Sequence, residues 1–180
     1  MYYAKGGDIQ MAKIIYLEQV KTMSTTSTTF TETTVFDVAK TFLNLEPMTP
    51  KKLQKLCYYA YSWYMVFYEG DKLFDGEFEA WIHGPVNPEL YREYRKYGFN
   101  EIPQEDVLPD EISNNPQLVE FLEHIHQTYG HLDGDQLEYL THQEDPWLNA
   151  RKNLKPYEPS NNVVDDDDII EYYRGELENG

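Results

Sequence analysis

The chain is short of basic residues, of cysteine and of long apolar runs. Lys and Arg number 15 against 32 Asp and Glu, which gives a formal net charge of −17 over 180 residues. Binding along DNA or RNA needs clustered Lys and Arg at the phosphates, so this balance argues against nucleic acid as a partner. It also disfavours anionic membrane surfaces and favours a basic partner, of which a basic protein is the simplest.

The shortage of cysteine and of apolar runs argues against a disulfide-stabilised protein and against a membrane-spanning one. The single cysteine, Cys57, has no second thiol for an internal disulfide, and we expect it to be a core side chain in a reducing compartment. No run approaches the roughly 20 apolar residues that a membrane-spanning helix needs. Together these shortages predict a cytoplasmic protein without membrane contact.

Motifs of the common catalytic and metal sites are absent from the sequence. It has no Gly-rich phosphate loop, no paired-cysteine motif and no serine nucleophile elbow. His124 and His126 are two positions apart, so on a helix they point to different faces and a shared metal ion is disfavoured. His83 has no neighbouring Ser or Thr to act as a nucleophile, which favours a structural role. We predict no catalytic residue, no metal and no cofactor.

Aromatic and apolar residues are abundant, and they concentrate in Met48 to Gly70, which we predict to be a central helix. Thr49 as N-cap and Pro50 at the first helical position mark its start, and Gly70 marks its end. Both faces between these signals are apolar, which indicates a helix buried on all sides. Only the first turn is basic, and we expect it to reach solvent through Lys51, Lys52 and Lys55.

Cap residues and apolar spacing predict shorter helices on both sides of the central one, so the predicted fold class is mainly α. It is a single helical domain around a buried central helix, with a small β-hairpin. At Pro146 a further turn is predicted to bury Trp147 and Leu148. The predicted helix starts are Thr33 or Thr34, Asn87-Pro88, Asn115-Pro116, Asp133 or Asp135, Pro146, and the acidic run from Asp165.

The predicted hairpin lies in KLFDGEFEAWIHGPV. Phe78, Ala80 and Ile82 alternate with residues of the opposite face, and Asp75-Gly76 is typical of a tight turn. After these alternating residues, we expect HGPVNP, residues 83–88, to break the strand.

Composition divides the chain into three parts. Residues 1–32 include a Ser/Thr-rich segment without an apolar period and are predicted to be a flexible N-terminal extension. Residues 33–160 hold the predicted helical domain. Residues 161–180 are predicted to be an acidic C-terminal helix or tail, whose aspartates complement the helix dipole.

Two adjoining segments, MTPKKLQKLCYYAYSWYMVFYEG and LFDGEFEAWIHGPVNPELYREYRKYG, resemble the Panacea domain of SocA-like antitoxins, also described in phage-associated GepA-type proteins. The resemblance extends over roughly Val35 to Arg151. Its signature is T-x-x-K-L-Q-K-L-x-Y-Y-A followed by F-E-A-W-x-x-G-P-V-x-P-x-x-Y. Those positions are Thr49, Lys52, Leu53, Gln54, Lys55, Leu56, Tyr58, Tyr59, Ala60, Phe78, Glu79, Ala80, Trp81, Gly84, Pro85, Val86, Pro88 and Tyr91.

The resemblance implies an antitoxin of a bacterial or phage toxin–antitoxin system that neutralises a cognate toxin by direct protein contact. The alternative that the resemblance leaves open is a proteolytic adaptor that presents a toxin to a cytoplasmic protease. The acidic charge of this chain predicts that the toxin is basic.

The predicted partner-binding residues lie within the predicted hairpin segment and in the helix after it, and they are Trp81, His83, Pro85, Tyr91 and Arg92. In one interpretation Trp81, Pro85 and Tyr91 form a rigid apolar corner that only locks the hairpin onto the central helix. In the other they are partly exposed and form a binding hot spot. Solvent exposure distinguishes the two interpretations.

Two further classes of function stay open from the residues alone. An enzyme would need a pocket that brings His83, Glu79 and Asp75 together. A transcriptional repressor would need a continuous basic face, for which the candidate residues are Lys51, Lys55, Arg92, Arg95 and Lys96.

Overall fold

A computed structural model describes residues 33–179, so the predicted flexible extension over residues 1–32 lies outside the described residues. This part of the chain is mainly helical with one two-stranded antiparallel sheet, which confirms the predicted fold class. None of its helices is both long and apolar enough to cross a bilayer. The elements are α1 (Val35–Leu45), α2 (Pro50–Phe67), β1 (Glu79–Trp81), β2 (Gly84–Val86), α3 (Pro88–Tyr94), α4 (Asp110–Ser113), α5 (Pro116–Tyr129), α6 (Gly134–Thr141), α7 (Asp145–Ala150) and α8 (Asp166–Asn179).

The central helix α2 begins and ends where its sequence signals predict. The Thr49 hydroxyl accepts a hydrogen bond from the backbone N–H of Lys52, and Pro50 occupies the first turn. Beyond the helix, Glu69 and Gly70 both have positive φ, and the Gly70 N–H returns to the carbonyl of Met65 at 2.7 Å. Every residue of α2 from 53 to 65 is buried, because helices α1, α3, α5, α6 and α8 and strand β2 pack around it.

The prediction that Lys55 reaches solvent is wrong. Its side chain is only 1% exposed, because Lys55 lies on the face of α2 that packs against the hairpin. Lys51 and Lys52 lie one turn earlier and keep partial access to solvent, with 31% and 14% of their side chains exposed. The basic first turn therefore divides into two surface lysines and one core lysine.

The turn of the hairpin lies later in the sequence than predicted. Its register pairs Glu79 with Val86 and Trp81 with Gly84, so the chain reverses at Ile82-His83 and not at Asp75-Gly76. The predicted break at HGPV is also wrong, since Gly84–Val86 is strand β2. Gly84, at φ +95°, supplies the left-handed conformation that the turn needs.

Helix α7 buries one of the two residues assigned to the core. Trp147 is buried and stacks on the His142 ring at a centroid distance of 4.0 Å. Leu148 is 42% exposed, so its predicted burial is wrong. Consecutive helical residues point about 100° apart, and the buried side of this helix is the one that carries Pro146 and Trp147.

Helix α8 completes the core at the end of the chain. The Asp165 carboxylate accepts hydrogen bonds from the backbone N–H groups of Asp167 and Asp168, as an N-cap does. Ile169 and Tyr173 are buried in the core. The segment before the helix lies along the free edge of β1, where the Ala80 N–H donates to the carbonyl of residue 162 at 2.7 Å.

A buried carboxylate, Glu144, connects α8 with α2. Its two oxygens accept hydrogen bonds from the hydroxyl groups of Tyr59 in α2 and Tyr173 in α8, at 2.8 and 2.7 Å. Burial raises the pKa of Glu144 to about 7, although both hydrogen bonds act in the opposite direction.

Candidate functional site

The hairpin is held on α2 by two consecutive side chains of the LQKL segment, of which Gln54 is the first. Its amide Nε2 donates to the Asn87 carbonyl at 3.1 Å, and its Oε1 accepts from the Asn87 N–H at 2.9 Å. The buried amide thus pairs with both backbone groups of one residue, as a neighbouring strand would. Asn87 in turn caps α3, with its Oδ1 accepting from the N–H groups of Glu89 and Leu90.

Lys55 is the second of these side chains, and it reaches the backbone of β2. Its Nζ donates to the Pro85 carbonyl at 3.1 Å. Burial lowers the pKa of Lys55 to about 7, with the negative charge of Glu138 acting in the opposite direction. A Cβ at Gly84 would lie 2.7 Å from Lys55 Cε and 2.8 Å from Thr141 Oγ1. Glycine at position 84 therefore provides the space that the buried lysine occupies.

Two more side chains fix the outer strand β1 from the opposite side. The Trp147 indole N–H donates to the Trp81 carbonyl at 3.0 Å, and Arg151 Nη1 donates to the Ala80 carbonyl at 2.8 Å. Arg151 is itself buried, and its Nη2 donates to the Glu158 carbonyl at 2.6 Å. One guanidinium thus holds the hairpin and the segment around residue 158 at a fixed separation.

Aromatic side chains lie on the outer face of this braced hairpin. Trp81 and Tyr91 meet edge to face, with ring centroids 4.8 Å apart. Trp81 is partly exposed, Tyr91 is 40% exposed, and the Trp81 indole N–H donates to Glu79 Oε2 at 2.6 Å. Exposed aromatic rings on a rigid support are typical of binding hot spots.

His83 stands at the tip of the hairpin, with 69% of its side chain exposed. Its Nδ1 lies 2.9 Å from Glu138 Oε1, and the other oxygen of Glu138 accepts from Lys51 Nζ at 2.6 Å. Burial raises the pKa of Glu138, but the hydrogen bonds from Lys51 and His83 outweigh it and the pKa lies below its ordinary value. The hairpin tip is therefore linked to α6 by an ionised carboxylate.

A surface pocket of about 480 Å³ opens beside the hairpin tip. One wall is the hairpin and the other is the segment 159–161. The lining residues are Glu79, Trp81, Ile82, His83, Pro159, Ser160 and Asn161. This volume falls within the range of about 300–1,000 Å³ that is usual for ligand pockets.

Four of the five predicted partner-binding residues lie at the surface, and two of them, Trp81 and Tyr91, are in contact. Trp81, His83, Tyr91 and Arg92 all have exposed surface. Pro85 is buried, and its carbonyl is the acceptor for Lys55. Pro85 thus belongs to the rigid corner of the first interpretation. Trp81 and Tyr91 pack against each other, as that interpretation requires, and they are also partly exposed, as the hot-spot interpretation requires.

The arrangement required by the enzyme hypothesis is only partly present. His83 and Glu79 line the same pocket, but Asp75 is not among its lining residues, and the carboxylate that contacts His83 is Glu138. Between residues 33 and 179, no three His, Cys, Asp or Glu side chains form a group that would hold a metal ion.

The basic face required by the repressor hypothesis is not formed. Lys55 is buried, and Lys51 is engaged by Asp135 and Glu138 at 2.8 and 2.6 Å. Arg92 has a neighbouring carboxylate on its own helix, Glu89 at 3.8 Å.

The side chains that build this site were visible in the sequence only as parts of a motif. Gln54 and Lys55 belong to the signature, yet nothing in their spacing indicates that they bind the hairpin backbone. Arg151 and the segment 159–161 lie more than 60 residues beyond the hairpin, so only the folded chain shows that they contribute to it.

Comparison with known proteins identifies the same family as the sequence motif. The family model described as "Antitoxin SocA-like, Panacea domain" matches residues 53–148, which is more than half of the chain. The chain belongs to this SocA-like, Panacea-domain family. The matched range contains α2 from Leu53 onward and the entire hairpin, whereas Arg151, the segment 159–161 and α8 lie outside it.

One relative among curated proteins is Antitoxin SocA of Caulobacter vibrioides (strain NA1000 / CB15N). It is 33% identical over 111 residues, which cover 56% of this chain and 58% of the relative. The alignment therefore spans less than two thirds of the relative's length. No solved structure matches this Panacea-domain chain.

Proposed function

We propose that this chain is an antitoxin that neutralises a cognate toxin protein by direct binding. The observation that carries the proposal is the family match over residues 53–148, which contains the whole hairpin with its exposed aromatic pair. A relative named as an antitoxin supports the same role. We expect the protein to act in the cytoplasm and to perform no chemistry of its own.

The toxin-binding surface in this proposal is the outer face of the hairpin, formed by Trp81, His83, Tyr91 and Arg92. Its support is physical. The strands are braced by Lys55 and Arg151 from two sides, so ordering them on binding costs little conformational entropy. Aromatic and arginine side chains with partial exposure are the residue types that dominate binding energy in protein interfaces.

The proposed partner is basic, because the chain carries a net charge of −17. Opposite charge accelerates encounter and is screened by salt. The association rate of the complex should therefore fall as ionic strength rises.

Co-expression with the neighbouring open reading frame tests the function. The neighbour alone should arrest growth, and this chain should restore it. Trp81→Ala should weaken binding by at least about tenfold, because loss of a hot-spot side chain costs about 2 kcal/mol or more. Phe99→Ala is the control and should leave binding unchanged, since Phe99 is an aromatic residue that is 96% exposed and does not belong to the hairpin surface.

The outcomes separate the alternatives. A harmless neighbour would contradict the antitoxin proposal, and full activity of Trp81→Ala would contradict the hairpin surface. Toxin levels in the rescued cells distinguish direct masking from delivery to a protease. Masking leaves the toxin intact and bound, whereas delivery lowers its amount.

A further inference from the structure

The pocket beside the hairpin has two walls of different origin. Trp81, Ile82 and His83 lie within the range that the family model matches, whereas the segment 159–161 lies outside it. The pocket is also continuous with the exposed aromatic pair, because Trp81 contributes to both. A partner seated on the hairpin face would therefore meet a cavity whose far side lies outside the matched range.

The walls of the pocket are largely apolar, and one carboxylate, that of Glu79, lines them. Glu79 Oε2 accepts the indole N–H of Trp81. Among the described residues no Lys, Arg or His lies within ion-pair distance of Glu79. A partly buried carboxylate without a counter-ion, beside apolar walls, is complementary to an apolar group that carries a cation next to it.

We infer that this pocket seats one large apolar side chain of the toxin, and that Glu79 binds a Lys or Arg adjacent to that side chain. The inference rests on the proposed function and deepens it by naming the recognised chemistry. Trp81, Ile82 and Pro159 bury the apolar group, while the Glu79 carboxylate selects for the cation. The segment 159–161 then sets which apolar side chain fits.

This recognition accounts for how a strongly acidic chain obtains specificity. Long-range attraction from a net charge of −17 acts on any basic protein. Discrimination requires short-range contacts that a wrong partner leaves unsatisfied. The pocket supplies both an apolar cavity and a charged group, so a toxin with only one of the two matching features binds more weakly.

Nuclear magnetic resonance with a small probe tests the pocket without the toxin. The probe is N-acetyl-Trp-Arg-amide, added to the full-length ¹⁵N-labelled chain, with N-acetyl-Trp-Glu-amide as its charge-reversed match. The indole N–H signal of Trp81 should shift with the Arg peptide, and the Glu peptide should bind at least about tenfold more weakly, since one charge-assisted hydrogen bond is lost. Trp63 is the internal control, because it is buried and its N–H donates to Tyr129.

Two variants locate the effect. Glu79→Gln keeps an acceptor for the Trp81 indole but removes the charge, and it should abolish the preference for Arg over Glu. Glu123→Gln makes the same change at an exposed position of α5 and should leave the preference unchanged. Equal affinities of the two peptides for the wild-type chain, or an unmoved Trp81 signal, would overturn the inference.

The toxin itself gives an independent test by charge exchange. Glu79→Lys should lose growth rescue, and replacement of one toxin Lys or Arg by Glu should restore it. If the wild-type chain rescues growth and Glu79→Lys rescues equally well, the pocket inference fails while the proposed function stands. If the wild-type chain itself rescues nothing, the proposed function fails, and the peptide experiment still judges the pocket.

Discussion

Two buried ionisable groups, one a base and the other an acid, join other elements to the central helix at neighbouring turns, through Lys55 and Tyr59. Lys55 connects α2 with the hairpin through the Pro85 carbonyl, and Glu144 connects α2 with α8 through the hydroxyls of Tyr59 and Tyr173. Neither contact is an ion pair. Burial shifts both pKa values toward the neutral form of the side chain, to about 7 in each case.

The two junctions differ in what satisfies the buried group. Glu144 has two donors, and both are aromatic hydroxyls within the core. Lys55 has one backbone acceptor and depends for its space on a residue without a side chain, Gly84. The lysine junction is therefore most sensitive to volume, whereas the glutamate junction is most sensitive to loss of a hydrogen bond.

The largest effect is expected at Gly84. Gly84→Ala places a methyl group against Lys55 and Thr141 and forces a left-handed φ on a residue with a Cβ. The free energy of unfolding should fall by about 3 kcal/mol, from about 1–2 kcal/mol of backbone strain and at least as much from overpacking. Urea denaturation measures it.

Gly98→Ala is the matched control for this change. Gly98 also has a positive φ, of 58°, but nothing lies within 4 Å of its Cβ position. It should lose only the backbone contribution, about 1–2 kcal/mol. Equal losses at the two glycines would show that the packing of Lys55 does not depend on the missing side chain.

The next effect is expected at the glutamate junction. Tyr173→Phe removes one of the two donors to Glu144 and leaves the ring in place, so the free energy of unfolding should fall by about 2 kcal/mol. Tyr172→Phe, on the neighbouring, partly exposed residue of α8, should change it by less than about 0.5 kcal/mol. If Tyr173→Phe leaves the free energy of unfolding unchanged, one hydroxyl is enough to satisfy Glu144.

The comparison also explains which parts of the structure the sequence could predict. Helix starts are local, since a cap and a proline such as Thr49-Pro50 or Asn87-Pro88 fix them within a few residues. The helical fold and buried α2 were therefore predictable. Burial of Lys55 was not, because a lysine near a helix start is ordinarily a surface residue.

The hairpin and the pocket were harder to predict for a related reason. Side chains of α2 hold β2 in place, since Lys55 bonds to the Pro85 carbonyl and Gln54 bonds to Asn87 directly after the strand, and such contacts leave no pattern in the GPV sequence itself. Of the predicted site residues, Trp81, Pro85 and Tyr91 are positions of the motif, whereas His83 and Arg92 lie beside motif positions. The second wall of the pocket and its brace, Arg151, come from distant sequence, and no local period indicates that they meet the hairpin.

The dependence of stability on pH provides the finest comparison of the two junctions. Between pH 4.5 and about 7, the folded chain holds a proton on Glu144 that the unfolded chain has lost, so Glu144 makes the free energy of unfolding fall as pH rises. Between about 7 and 10.5, the unfolded chain holds a proton on Lys55 that the folded chain lacks, so Lys55 makes the free energy of unfolding rise with pH. Each slope reaches at most about 1.4 kcal/mol per pH unit.

Difference curves isolate the two contributions from those of all other groups. The free energy of unfolding of the wild type minus that of Glu144→Gln should fall from about pH 5 to about pH 7 and stay level above this range. The same difference for Lys55→Met should stay level below about pH 6.5 and rise toward about pH 9.5. Urea denaturation at a series of pH values measures both. Opposite slopes on the two sides of neutrality require a buried acid and a buried base that are both uncharged near pH 7. If both curves slope in the same direction, or if both stay level, Glu144 and Lys55 are not such a pair.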